Sequence, residues 1–281
     1  MNLTQLIQGN HLIGRIPKHH PLYDEIRRQE AGLAGENYAK HQLLKAGVPI
    51  VLTDIHLNKS QIDLLAITVA GILVCEVKNI HGDITLHHSP KQMRRGPHDN
   101  FTHPDIQLHD SIHELSKLVN VPLYGAIVFA FNQSRVTTHG ADFPVLMARE
   151  LGHFIRSLPS IVPTQKLPQL RATIQAAHQP MLDKLPLNPE SIATGVVCPT
   201  CQQLAMQWQR THWLCLHCQT ESHHAHQTAL ATYKALFGEQ LTNEQARQFL
   251  HISSRDTMRR LLQKEASANK ANGRHTIYVL R

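Results

Sequence analysis

Apolar and polar positions along the chain predict alternating helices and strands in its first two thirds. A helical pattern begins at Tyr23 and ends near Ala46, because Gly47 follows directly. Short apolar runs predict four strands, at residues 50–56, 62–69, 72–78 and 123–131. Further helices are predicted at residues 104–119, 144–157 and 169–178. The polar segment 81–103 is interpreted as a strand end followed by a long loop.

These patterns divide the chain into five segments. We expect an N-terminal extension, an α/β domain, a proline-rich end segment and linker, a small cysteine-rich segment and a basic C-terminal domain, at residues 1–22, 23–157, 158–193, 194–222 and 228–281. Mixed strands and helices in the second segment indicate a sheet flanked by helices.

The charge of the chain favours a polyanionic partner. Lys and Arg number 28 and Asp and Glu 21, a net charge of +7 with neutral His. Most of the excess lies in residues 223–281, which hold nine basic and four acidic residues. No apolar run reaches the ~18 residues that a membrane span needs. The first residues lack the pattern of a secretion signal, so we expect no membrane partner and a cytoplasmic location.

The two central strands carry charges where burial is expected. Asp63 lies near the start of the first strand, and Glu76 and Lys78 end the second. A turn at Val69–Ala70 would place Asp63 opposite Glu76, whereas a turn one residue later would place it opposite Lys78. The turn residues do not decide between these registers. In both, the two acids and the lysine converge at the open end of a hairpin.

These three charged residues can simply lie at a solvent-exposed end of the hairpin, where the lysine neutralises one of the acids. Two observations favour a metal site instead. The neighbours of Glu76, Cys75 and Val77, are apolar, and facing carboxylates repel unless a cation lies between them. Mg²⁺ is usually bound by only one or two carboxylates, and a substrate phosphate can take one of its remaining positions. A nearby lysine can orient water or stabilise charge on a phosphoryl group.

Glu36 is a further candidate acid. Gly32, Glu36, Ala39 and Leu43 share one helix face. Because glycine disfavours helices, Gly32 and Gly35 predict that this helix approaches the sheet closely and brings Glu36 to the acids. The alternative is an exposed glutamate beside incidental glycines.

Four short motifs, taken in order, resemble a known family. They are G-x-x-G-E, Q-I-D, E-V-K-N and P-x-x-Q, at residues 32–36, 61–63, 76–79 and 104–107. The set resembles the nuclease-related domain (NERD), a branch of the PD-(D/E)XK nuclease fold, over roughly residues 25–135. The resemblance implies an α/β, mixed-sheet, restriction-endonuclease-like core flanked by helices.

The resemblance also implies roles for individual residues. Asp63 and Glu76 would bind Mg²⁺ or Mn²⁺, and Lys78 would be the catalytic lysine. Glu36 would be an accessory acid, and Gln107 would face the site. The implied activity is hydrolysis of phosphodiester bonds in DNA, with RNA left open. Nucleases of this fold often pair to cut both strands, so a homodimer is compatible with the resemblance.

The cysteine-rich segment predicts a structural zinc site. Cys198, Cys201, Cys215 and Cys218 form two C-x-x-C pairs thirteen residues apart. This is the spacing of a closed four-cysteine site, and zinc binding would supply much of the folding energy of so short a segment. The segment resembles a zinc ribbon. Trp208 and Trp213 are expected to pack in its core or, alternatively, to stack on bases.

The C-terminal segment resembles a winged helix-turn-helix. Thr242 is expected to cap a helix over residues 243–250, and Ser253 or Ser254 a second helix over residues 255–264. The predicted nucleic-acid-binding residues are Arg255, Arg259 and Arg260 on the second helix and Lys270 and Arg274 in the following wing. The alternative is a helical module that binds proteins.

Together these features predict a metal-dependent deoxyribonuclease, with a bacterial type of domain arrangement, that its C-terminal segments deliver to DNA. A nucleic-acid-binding protein with an inactive nuclease fold is the second hypothesis, and a protein-interaction adaptor is the third. The salt dependence of binding distinguishes the adaptor from the other two hypotheses, because binding to phosphates weakens steeply as the salt concentration rises.

Overall fold

The computed structural model describes residues 3–131, 134–180, 185, 191–272 and 275–281. The chain forms two compact units: residues 28–181 form one, and residues 1–27 with 182–281 form the other. No helix within these described residues is long and apolar enough to cross a bilayer.

A five-stranded mixed sheet forms the centre of the unit 28–181. Its strands are β1 (Ile50–Leu57), β2 (Ser60–Thr68), β3 (Gly71–Lys78), β7 (Leu123–Phe129) and β9 (Val145–Met147), which are adjacent in that order. The first three are antiparallel, and β3, β7 and β9 are parallel. The fold is therefore mixed α/β, as predicted.

Helices cover both faces of this sheet. They are α2 (Pro21–Lys45), α3 (Pro104–Ser116), α4 (Leu151–Ser157) and α5 (Leu167–Ala177). Leu108 of α3 and Ile174 of α5 belong to the core on one face. Ala39 of α2 and Leu151 of α4 belong to the core on the other. Burial on both faces explains the continuous apolar runs in β3 and β7.

Two sequence predictions in this unit are wrong. The expected loop 81–103 forms the strands β4 (Gly82–His87), β5 (Gln92–Arg95) and β6 (Asp99–Thr102), which make a four-stranded sheet with β8 (Ser134–His139). All of β6 is exposed and only Met93 of β5 is buried, so no apolar alternation marks them. The expected helix 144–157 begins as the strand β9, because pairing with β7 overrides its helical pattern.

The other unit combines N-terminal and C-terminal elements. Its helices are α1 (Leu3–Leu12), α6 (Ala225–Phe237), α7 (Asn243–Leu250) and α8 (Arg255–Glu265). One three-stranded sheet contains β10 (Met206–Trp208), β11 (Trp213–Cys215) and β12 (Glu221–Ser222). A second contains β13 (Gln240–Thr242), β14 (Ala266–Asn272) and β15 (His275–Leu280), with β15 in the middle.

Residues near the N-terminus pack into this unit. Arg15 is 3 % exposed, donates to the carbonyl oxygens of Ala193 and Gly195 and lies 5.0 Å above the Phe249 ring. Burial lowers the pKa of Arg15 to about 10, which still leaves it charged at neutral pH.

The caps of α7 and α8 agree with the sequence. Oγ1 of Thr242 accepts a hydrogen bond from the backbone N–H of Gln245, at 3.2 Å. Of the two serines considered for α8, Ser254 is the cap, since its Oγ accepts from the N–H of Thr257 at 3.2 Å. The order of two helices followed by a hairpin agrees with the order expected from the sequence. The assignment of this segment to the winged-helix class stays a prediction.

Candidate functional site

The register of the β2–β3 hairpin brings Asp63 and Glu76 face to face. Leu64 pairs with Cys75, so the next position outward on each strand is an acid. The turn is Val69–Ala70, which is the first of the two registers that the sequence left open. Two carboxylates therefore occupy neighbouring positions on adjacent strands.

Lys78 contacts both the hairpin and helix α3. Its Nζ donates to Oε1 of Glu76 at 2.6 Å and to Oε1 of Gln107 at 3.0 Å. Glu76 is only 4 % exposed, and Oδ2 of Asp63 accepts from the backbone N–H of Val77 at 2.9 Å. The first turn of α3 thus reaches the two central strands through Gln107.

Gly35 allows α2 to approach the sheet. A Cβ at this position would lie 2.7 Å from Cβ of Asn79 and 3.1 Å from Cβ of Ala130. At Gly32 a Cβ would meet nothing within 4 Å. Close approach therefore explains one of the two glycines, and it is the one directly before Glu36.

The acids influence one another strongly. Burial, followed by repulsion from Glu76 and Glu36, raises the pKa of Asp63 well above its ordinary value, although Lys78 opposes this shift. Burial, followed by repulsion from Asp54 and Glu76, raises the pKa of Glu36 to about 7. A nearby cation would stabilise the charged forms of these carboxyl groups.

Asp54 belongs to the same site and was not predicted from the sequence. Its neighbours on β1 pair with the neighbours of Asp63 on β2, so the two acids share one register position. Oδ1 of Asp54 accepts from Nε2 of Gln61 at 2.8 Å and lies 2.7 Å from Nε2 of His56. An acid within the apolar run of β1 is the signal that could have identified it.

A polar groove adjoins these residues. It has a volume of about 450 Å³ and is lined by Asn58, Lys59, Ser60, Gln61, Gln107, Asp110, His113 and Glu114. Gln61 contacts Asp54 and Gln107 contacts Lys78. Two residues of the groove wall thus contact residues of the acidic site.

The hairpin acids fit a magnesium-type ion better than a closed metal cage. Among the residues that the structure describes, the only groups of three or more potential ligands within 4.8 Å are the four cysteines and a His88–Asp105–Asp142 cluster. The hairpin offers two facing carboxylates, Asp63 and Glu76. Mg²⁺ is usually bound by one or two carboxylates together with water and phosphate oxygens, so the donor set suits it.

The four cysteines converge, as their spacing predicted. All four Sγ atoms lie within 4.8 Å of one another. Gln202 and Gln219 follow the second cysteine of each pair with φ of 58° and 59°, and their N–H groups bond to the carbonyls of Cys198 and Cys215. The two pairs thus form matching turns, and the cluster is compatible with structural zinc.

The tryptophans of this segment pack rather than project. Trp213 is fully buried, and its Nε1–H lies 3.3 Å from Nδ1 of His226. Trp208 is half-buried and its ring centroid lies 5.2 Å from that of Trp213. Trp213 is therefore a core residue, and stacking on bases is excluded for it.

Arg255, Arg259 and Arg260 are exposed on α8, and two of them line one groove. Arg255 and Arg259 line a groove of about 660 Å³, with Arg247 of α7. Arg260 is not among its lining residues. The groove is lined as well by Thr242, Asn243, Glu244, Asp256, Thr276 and Tyr278. Arg259 lies 3.4 Å from Asp256, which reduces its free charge.

The two predicted wing residues are less fully described. The backbone of Lys270 pairs with Ile277 in the β14–β15 hairpin. Arg274 lies outside the residues that the structure describes.

Comparison with protein-family models finds a match to NERD, the nuclease-related domain, over residues 31–130. Comparisons with curated proteins and with solved structures find no significant match. The matched range contains all four motifs on which the resemblance rests and ends before the cysteine-rich segment. The resemblance is confirmed, and this chain contains a nuclease-related domain at residues 31–130.

Proposed function

We propose that the nuclease-related domain hydrolyses phosphodiester bonds of DNA in a metal-dependent reaction. The observation that carries the proposal is the convergence of Asp63, Glu76, Lys78 and Gln107 at one end of the β2–β3 hairpin. These residues come from two strands and a helix, and hairpin pairing and hydrogen bonds bring them together.

The facing carboxylates, Asp63 and Glu76, would hold Mg²⁺ or Mn²⁺. When bound, the ion would neutralise charge on the phosphate oxygens and activate water for attack. Burial and mutual repulsion disfavour the charged form of Asp63. An ion that both carboxylates bind would remove this penalty, which supports their assignment as ligands.

Lys78 has one donor left for the substrate. An ammonium group has three N–H donors, and two of them are used by Glu76 and Gln107. The third can donate to a phosphate oxygen or position water. The two contacts also hold the side chain in place, so its charge need not reorganise during the reaction.

Glu36 lies where its charge responds to a bound cation. In the metal-free chain its pKa is raised to about 7 by burial, Asp54 and Glu76, and a cation at the neighbouring carboxylates would favour its charged, proton-accepting form. Its place on α2, fixed by the close contact at Gly35, supports an accessory role beside the hairpin.

The other unit would bind DNA. Support comes from the exposed arginines of α8 and from the groove that Arg247, Arg255 and Arg259 share. Nε of Arg247 and Oδ1 of Asn243 are buried there without a hydrogen-bond partner in the described part of the chain. Phosphate or base edges could satisfy the arginine donor. Zinc at the four cysteines would be structural.

The test is cleavage of plasmid, linear DNA and RNA by the purified full chain, with Mg²⁺, Mn²⁺ or EDTA. Glu76→Gln and Lys78→Met are compared with Lys45→Met, which changes an exposed lysine at the end of α2. We expect metal-dependent cleavage of DNA that both site variants lose and Lys45→Met retains.

Two results would contradict the proposal. Binding of DNA without cleavage under any metal would favour the inactive-platform hypothesis. Cleavage that survives in both site variants would show that the activity arises elsewhere.

A further inference from the structure

A second cluster of ligand-type side chains lies within residues 28–181. His88, Asp105 and Asp142 offer ligand atoms within 4.8 Å of one another. His88 directly follows β4, Asp105 lies in the first turn of α3 and Asp142 precedes β9. Three segments that are distant in sequence therefore bring one imidazole and two carboxylates together.

Asp142 has several basic partners. Its Oδ2 lies 2.6 Å from Nε2 of His109, and its Oδ1 lies 3.3 Å from Nδ1 of His88. Nζ of Lys91 contacts Asp142 and lies 3.9 Å from Oδ2 of Asp105. The ammonium group thus faces both carboxylates, which is the position that a bound cation would take.

Asp105 has a buried oxygen that these contacts do not satisfy. Its side chain is fully buried, and Oδ2 accepts from the backbone N–H of Asp142 at 2.9 Å. Oδ1 has no hydrogen-bond partner in the described part of the chain. Lys91 lies 3.9 Å from the other oxygen, Oδ2, which is beyond hydrogen-bond reach. A buried carboxylate oxygen without a partner is unfavourable, so a cation bound to this carboxylate would be stabilising.

His103 beside this cluster has a different role. Its Nδ1 accepts from the backbone N–H of Asp105 at 3.2 Å, so in the neutral ring the proton is on Nε2. Neither nitrogen then has a free lone pair for a metal. His88 is the imidazole of this cluster, and His109 bonds to Asp142 beside it.

We propose that His88, Asp105 and Asp142 bind a divalent transition-metal ion of the Zn²⁺ type. One imidazole nitrogen and two carboxylate oxygens are a donor set that suits zinc, whereas Mg²⁺ prefers oxygen alone. The ion would displace the Lys91 ammonium. Lys91 is half-buried and carried on a flexible side chain, so it can move aside.

This ion would fix the beginning of α3. Asp105 lies two residues before Gln107 on that helix, and Gln107 contacts Lys78. An ion bound to Asp105 and to the segments of His88 and Asp142 would hold the first turn of α3 in place. The ion would therefore help to position Gln107, although its binding does not depend on the proposed nuclease activity.

Zinc stoichiometry of the full chain tests the site. After equilibration with Zn²⁺ in excess Mg²⁺, which occupies the proposed nuclease site, and removal of loosely bound ions, elemental analysis should find two zinc ions per wild-type chain. The double variant His88→Ala/Asp142→Asn should retain one, at the four cysteines. His98→Ala, which removes an exposed histidine outside the cluster, should retain two. One ion in wild type, or equal loss in His98→Ala, would overturn the proposal.

Cobalt separates the two sites by their ligands. Thiolate-bound Co²⁺ absorbs strongly in the near ultraviolet through sulfur-to-metal charge transfer, which nitrogen and oxygen ligands do not give. We expect a second Co²⁺ to bind without this absorption and to bind at least about tenfold more weakly in His88→Ala. If every bound Co²⁺ shows thiolate absorption, the proposed site does not exist.

Lys91→Met tests the competition between the ammonium and the ion. If the cluster binds metal, removal of Lys91 should tighten binding of the second Zn²⁺, because nothing then needs to be displaced. If Lys91 is itself the only cation of the cluster, the variant should show no second ion and lower stability. That result would overturn the proposal.

Discussion

Nζ of Lys78 lies 2.6 Å from Oε1 of Glu76, two residues earlier on the same strand. Alternate residues of a strand share one face, so β3 itself sets this spacing. Because the acid is buried and the lysine is half-buried, the pair is shielded from solvent. Its interaction is therefore stronger than that of an ion pair on the surface. Lys78 has a second partner, Gln107, and a substitution there tests how much the position of the lysine matters.

Gln107→Leu should reduce cleavage moderately. The change removes one of the two acceptors that hold Lys78 but leaves its charge in place, so we expect a loss of roughly tenfold. Lys78→Met removes the donor itself and should cost roughly 100- to 1,000-fold. Single-turnover rates at saturating metal measure both. Equal losses in the two variants would contradict a positioning role for Gln107.

Glu36 should make stability depend on pH in the absence of metal. Its folded pKa of about 7 exceeds the ordinary value of 4.5, so the folded chain holds a proton that the unfolded chain has lost. Stability should therefore fall as pH rises from about 4.5 to 7. After allowance for solvent screening, the fall is on the order of 1–2 kcal/mol.

Urea unfolding in EDTA across this pH range measures the effect. Glu36→Gln should flatten the pH dependence in part, because Asp63 shifts in the same direction and remains. An unchanged slope in Glu36→Gln would mean that this carboxyl group does not titrate there.

Gly32 and Gly35 should respond oppositely to alanine. Gly35→Ala places a Cβ 2.7 Å from Cβ of Asn79, and neither atom can rotate away, so we expect a net loss on the order of 1–2 kcal/mol. Gly32→Ala meets nothing within 4 Å and should stabilise α2 by up to about 1 kcal/mol. Unfolding free energies of the two variants test this. Equal effects would contradict close approach at residue 35.

Removal of metal should unfold the cysteine-rich segment. The chain has two tryptophans, and both lie in this segment, so tryptophan fluorescence reports on it and on its packing against α6. With a strong zinc chelator, buried Trp213 should become exposed and its emission should shift to the red. Cys201→Ser should give the same shift without chelator. An unchanged spectrum after complete removal of zinc would show that the segment folds without the ion.

Arginines of α8 should contribute differently to DNA binding. Arg255→Ala and Arg259→Ala change the shared groove, and each should weaken DNA binding and lower the salt slope by about 1 if it contacts a phosphate. Because Asp256 lies 3.4 Å from Arg259, Arg255→Ala should have the larger effect. Titrations at several salt concentrations measure this. Binding that is independent of salt would favour a protein-interaction module.

The sequence predicted the parts of the fold that apolar patterns mark. The strands around Asp63 and Glu76 are buried on both faces, and their apolar runs identify them. The register was left open because it depends on which two residues form the turn. Asp54 was missed although an acid within an apolar run marks it, because its position opposite Asp63 depends on the pairing between β1 and β2.

Two helices of the other unit were not predicted for different reasons. α1 has few distinctive positions, and its burial depends on partners more than 200 residues away, such as the bond from Nε2 of Gln8 to the carbonyl of Ala235. α6 begins after His224, which makes no side-chain capping bond, so the usual signal for a helix start is absent.

The length of the β2–β3 hairpin controls which groups meet at its open end. Thr68 pairs with Gly71, about 17 Å along the strand from Asp63. One residue added to either strand between the turn and the acids would move Asp63 away from Glu76, even if every other residue kept its identity. Between the two acids, selection would therefore tolerate many apolar exchanges but reject insertions and deletions. The number of residues between the two acids would reveal this constraint, whereas the identities of the side chains between them would not.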